Sequence, residues 1–122
     1  MQALVAFGEV DAAVRIADHT RRFQSKRDGA FLTGQQDDCP GCTSLPPLEG
    51  LAAVHRARKS PALTKALADG LRFVDGLVCQ PKDAPVLPNP RRAFGGVRQS
   101  HVSGQVRQDF VGHLVNLLCL LR

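Results

Sequence analysis

The sequence predicts a mainly α protein: a small helical domain of three main amphipathic helices plus one short helix, joined by Pro/Gly-rich irregular connectors. Two observations carry this. Apolar residues recur at three- and four-residue steps over 3–23, 60–78 and 105–121, the repeat of one helix face. Between those stretches Gly29, Gly34, Pro40 and Gly41, then Pro81, Pro85, Pro88, Pro90, Gly95, Gly96 and Gly104, break any run long enough to form another extended element. With 122 residues, 43% apolar and 22% charged, the chain has material for one modest core.

The first helix is read over 3–23, where Ala3, Phe7, Val10, Val14 and Ala17 share a face and Val5 and Ile16 lie off it. Residues 24–44 read as loop, with one short strand at 30–33. A short helix over 47–58 follows, with Leu48, Leu51, Ala52 and His55 on one side. The clearest element is 60–78. Ser60 is placed to cap it, and Pro61 suits the first helical position because the N–H it lacks would have no intrahelical partner. Leu63, Ala66, Leu67, Gly70, Leu71, Phe73, Val74, Leu77 and Val78 lie on its apolar half and Thr64, Lys65, Asp69, Arg72 and Asp75 on the other. Gly70 and Gly76 each cost on the order of 1 kcal/mol relative to alanine, so this helix needs a packing partner.

Beyond it, the prolines of 80–90 predict an extended connector with polyproline character, since each biases its predecessor away from the helical region. Residues 91–104 read as irregular, with a short strand near 97–102. The third main helix spans 105–121, where Val106, Phe110, Leu114, Leu117 and Leu121, widened by Leu118 and Leu120, form a stripe expected to meet the 60–78 helix or a partner. The organisation expected is a helical region with a Cys-x-x-Cys loop over 1–78, a connector over 79–104 and an apolar helix over 105–122, within one domain.

The formal charge of +5 favours attraction to polyanions. Basic residues cluster at 21–27 (Arg21, Arg22, Lys26, Arg27) and at 56–59 (Arg56, Arg58, Lys59), separated by acidic residues rather than gathered in one tail. No stretch approaches the roughly 18–20 apolar residues of a membrane span. The first ten residues lack the basic segment of a secretory signal, and the four cysteines are too sparse for a disulfide framework, so a cytoplasmic chain with reduced thiols is expected.

Cys39-Pro40-Gly41-Cys42 is the most specific chemical motif. The pair suits a redox dithiol or half of a tetrahedral zinc site. Asp37 and Asp38 would raise the thiol pKa by repulsion, against the redox reading. For zinc, His55 stands twelve residues beyond Cys42 and Cys79 is the one candidate for a fourth ligand, giving the set Cys39, Cys42, His55 and Cys79.

The helices at 47–58 and 60–78 adjoin across a short polar junction. Leu63-Thr64-Lys65-Ala66-Leu67 is similar to the start of a recognition helix in small antitoxin-like helix-turn-helix repressors, which implies nucleic-acid binding. At the turn, Ala57-Arg58-Lys59 replaces the small or glycine residue usual there, and Asp69 and Asp75 on the exposed face would repel phosphate.

There is no phosphate-cradling glycine loop and no nucleophile elbow, and His19, His55, His101 and His113 are scattered, so no catalytic residues are assigned and no enzyme is expected. The expected function is that of a small basic non-enzymatic binding protein, contacting nucleic acid through Arg56, Arg58, Lys59 and Lys65. The alternatives are a protein–protein module, including self-association, through the 110–121 stripe; a zinc-binding protein; or an open-reading-frame product with no evolved function.

Overall fold

A computed structural model of the chain describes residues 1–32 and 40–122. The protein is mainly helical, in the order α1 (Gln2–Ala6), α2 (Val10–Thr20), a 3₁₀ turn at Arg21–Phe23, a second at Cys42–Ser44, α3 (Leu45–Ala57), α4 (Pro61–Asp75), a 3₁₀ helix at Pro81–Val86, α5 (Pro90–Ala93), strands β1 (Arg98–Ser100) and β2 (Ser103–Val106), and α6 (Gln108–Leu120).

α3 is the central helix. Eight of its thirteen residues are buried, and it touches α1, α2, α4 and α6. Its first turn holds Pro46 and Pro47, where missing N–H groups cost nothing. Leu45, Leu48, Leu51, Ala52 and Val54 then form the middle of a core that also takes Ala13 and Ala17 from α2, Leu63, Leu67, Phe73 and Val74 from α4, and Phe110 and Leu117 from α6.

α4 follows its sequence closely at its start but ends at Asp75, so Gly76 is its C-cap rather than an interior residue and Leu77 and Val78 lie beyond it. The Ser60 hydroxyl accepts a hydrogen bond from the Leu63 N–H at 3.2 Å, and Pro61 opens the helix. Gly70 has a packing role: a Cβ there would overlap the Cδ2 atom of Leu48, itself completely buried, so the missing side chain lets α4 lie close on α3.

Three expectations are corrected. The 3–23 stretch is two helices, because Gly8 adopts φ +81° and reverses the chain between α1 and α2. Phe7, on the expected stripe, is thrown outward and is 83% exposed. Residues 80–90 are not extended. The Asp83 carboxylate accepts from the Gln80 N–H at 2.8 Å, starting a 3₁₀ helix with Pro81 in its first turn, and Pro90 opens α5. Val106 belongs to β2 rather than to the last helix, which begins at Gln108 and packs on α3, not on α4.

The strand read near 97–102 is half of an antiparallel hairpin, β1 with β2. Arg98, buried, fastens this hairpin to the end of α4: its Nη2 donates to the Gly76 carbonyl at 2.8 Å and lies 4.0 Å from Asp83 Oδ1. Of the short strand read at 30–33, residue 33 lies outside the described residues, and among those described it is represented by one bridge, Gln24 with Phe31. Among the described residues no helix is long and apolar enough to cross a membrane.

Candidate functional site

Among the concave regions of the described residues, two bring charged side chains of separate segments together over the greatest volume. The first lies between segment 21–26 and the N-terminal half of α4, a groove of about 540 Å³. Local structure positions both walls. The 3₁₀ turn that ends α2 presents Arg21 and Arg22, and the Gln24 side chain ties the segment to α4 by donating to the Ala66 carbonyl at 2.8 Å and to the Gly29 carbonyl at 3.0 Å. Arg21, Arg22 and Lys26 thereby share the groove with Lys65, four cations with Asp69 as the single carboxylate of the lining among the described residues. All four cations are exposed. Arg21 is paired with Asp18 at 2.9 Å and Lys65 with Asp69 at 2.6 Å. Arg22 and Lys26 form no ion pair among the described residues. Hydrogen bonding from Lys65, with its charge and that of Arg72, holds the Asp69 carboxyl below its ordinary range, so it stays ionised.

The second region is a cavity of about 610 Å³ among α1, α3 and α6, a volume typical of small-molecule sites. Val5, Ala6, Ala53, Ala57 and Leu120 supply apolar wall, and Arg56, Asn116 and Cys119 also line it. Glu49 is its buried acid. Gln2 Nε2 donates to Glu49 Oε1 at 2.6 Å, and His113 Nδ1 lies 2.7 Å from Glu49 Oε2. Burial raises the pKa of this carboxyl, but the hydrogen bonds from Gln2 and His113, the His113 charge and a bond from Asn116 outweigh it, leaving the pKa lowered. An ionised carboxylate only accepts, so His113 carries its proton on Nδ1. The network joins three helices and leaves both carboxylate oxygens engaged.

The basic residues singled out by sequence are dispersed. Lys65 stands in the groove, Arg58 pairs with Asp11 of α2 at 2.6 Å, Arg56 borders the cavity, and Lys59 is exposed at the α3–α4 junction. Arg21, Arg22 and Lys26 were visible as a cluster, but the contact that sets them opposite Lys65 comes from Gln24, a residue no charge pattern marks.

Those of the proposed zinc ligands that are described are also apart. Cys39, with Asp37 and Asp38, lies outside the described residues. Cys42 precedes α3 and His55 is near its far end, separated by about 15 Å of helix rise from Leu45 onward. Cys79 sits in a separate small cluster with Leu87 and Ala93. Burial pushes the Cys42 and Cys79 thiols up, away from the thiolate that metal binding or redox chemistry needs. Among the described residues no three His, Cys, Asp or Glu side chains converge as a metal site would require. The His55 Nδ1 atom is buried without a hydrogen-bond partner among them.

No family model, curated protein or solved structure matches this chain.

Proposed function

We propose that this chain is a non-enzymatic binding protein for nucleic acid, holding backbone phosphates in the groove between segment 21–26 and α4. The observation that carries the reading is the meeting of four cations, from two segments some forty residues apart in sequence, around one open groove. Two of the four, Arg22 and Lys26, have no carboxylate partner among the described residues, so no ion pair seen there need break for them to contact phosphate. The net charge of +5 supports the same partner class.

The mode is phosphate contact rather than base reading. Among the described residues no aromatic side chain lines the groove to stack on a base. α4 is poorly equipped to enter a major groove as a recognition helix, because Asp69 holds both Lys65, at 2.6 Å, and Arg72, at 3.3 Å. Binding is therefore expected to be sequence-independent and strongly dependent on salt.

The test is fluorescence anisotropy of a labelled DNA duplex against salt concentration. About three or four phosphate contacts predict a slope of log K on log salt of roughly −3 to −4. Arg22→Glu with Lys26→Glu should lower affinity at least about tenfold, the effect of removing two contacts and adding repulsion, while Arg56→Glu should leave it within about twofold. Binding that is absent at low salt, or indifferent to the groove substitutions, would end this reading.

A further inference from the structure

The cavity of about 610 Å³ among α1, α3 and α6 shares no lining residue with the basic groove. It is left open by small side chains where three helices meet. Ala53 and Ala57, one turn apart on α3, line it together with Ala6 of α1, and a methyl group at each of these positions does not reach far enough to fill the space.

Two ionised side chains belong to the same wall. Glu49 and Arg56 stand two turns apart on α3, on one face with Ala53 between them, with about 10 Å of helix rise from one to the other. They are not equivalent. Glu49 is buried, and its carboxylate already accepts from Gln2, His113 and Asn116, so the protein itself answers that charge. Arg56 is exposed and enters no ion pair among the described residues. Its guanidinium is always charged and offers a planar fork of donors that matches a carboxylate. The charge left for a ligand is therefore positive, and apolar wall lies beside it.

We infer that this cavity binds an amphiphilic monocarboxylate, with the carboxylate on Arg56 and a medium-length alkyl chain along Ala53, Ala57, Val5, Ala6 and Leu120. A cationic head is disfavoured, because it would be repelled by Arg56 and would have to displace Gln2 or His113 to reach Glu49. α1 is the wall that can yield: none of its residues is buried, and Gly8 follows it at φ +81°. A chain lying on Val5 and Ala6 gives α1 apolar contact it otherwise lacks, so the ligand should hold it in place.

Nuclear magnetic resonance titration of the isotope-labelled full chain tests this, with octanoate, octylammonium and octanol as probes. Octanoate should shift the amide resonances of Ala6, Ala53, Ala57 and Leu120 along one saturable curve and slow hydrogen exchange in α1. Affinity should rise about three- to fourfold for each methylene added from hexanoate to decanoate, the increment for an apolar group leaving water. Octylammonium should bind at least about fivefold more weakly than octanoate, since an ion pair is lost and a repulsion gained. Arg56→Gln should weaken octanoate about two- to fivefold, the range of an exposed ion pair, and leave octanol unchanged. Ala57→Leu, at an exposed site away from the core, should weaken octanoate and octanol alike by occupying the cavity. Shifts that never saturate or that scatter over the whole surface, octylammonium binding as tightly as octanoate, or Arg56→Gln acting on octanol as strongly as on octanoate would overturn the proposal.

Discussion

Glu49 is the residue whose surroundings most exceed what its sequence position suggests. It sits on the central helix, is 7% exposed, and receives Gln2 from α1 and His113 from α6. A charge so placed is costly unless its hydrogen bonds are kept, so removing it strands two donors at once. Glu49→Ala should lower unfolding free energy by about 1.5–3 kcal/mol, the range for hydrogen bonds to a charged group, measurable by denaturant titration. The sign of the pH effect follows from its lowered folded-state pKa, against an ordinary value of 4.5. Its contribution is fully present above the unfolded value and is lost as pH falls through the folded one. Stability of the native chain should therefore decline on acidification below about pH 4.5, more steeply than that of Glu49→Gln, which has no charge there to lose. Equal acid slopes would show that the network does not hold the carboxylate ionised.

At the scale of the element, α4 and the first helical stretch show what periodicity can and cannot reveal. The cap, the proline and the apolar face of α4 are local signals, each acting within a turn of itself, and all three are met in the fold. The purpose of Gly70 was not legible. Its cost to the helix is intrinsic, but its benefit depends on Leu48, twenty-two positions earlier, lying where a methyl group would go. Gly70→Ala should consequently destabilise the protein by about 1–3 kcal/mol through overpacking, although alanine is the better helix former, and a gain in melting temperature would contradict the packing account. The break at Gly8 was hidden for a related reason. Glycine adopts positive φ readily, but whether it does so depends on α1 and α2 each finding a place on α3. In 80–90 each proline reads as a donor removed, whereas Pro81, behind the Gln80–Asp83 contact, and Pro90 each open a helical turn. The basic groove was half legible: both clusters of charge could be seen in the chain, but not the Gln24 bridge that brings one of them to Lys65.

For the whole molecule, the decisive fact is how many elements rest on α3. α1, α2, α4 and α6 all touch it, and its leucines have no exposed surface. Helices this short are marginal in isolation, so their stability must come from the shared core. Unfolding of one should expose α3 and remove the support of the others. Leu117 tests this from the far end of the chain, because it is completely buried against residues separated from it by more than half the sequence. Leu117→Ala should cost about 2–5 kcal/mol by loss of buried area and creation of a cavity. Against a total stability of roughly 5–15 kcal/mol, that is enough to lower the melting temperature of every helix together. Thermal melting followed by far-ultraviolet circular dichroism should show one sigmoid for the native chain and one sigmoid at lower temperature for the variant. The chain has neither Trp nor Tyr, so tertiary structure is better followed by methyl resonances of the core leucines, whose dispersion should collapse over the same interval. Loss of helix in separate steps, with only the signal of α6 moved by Leu117→Ala, would mean that α3 does not couple its neighbours and that the groove and α6 reside on independently melting parts.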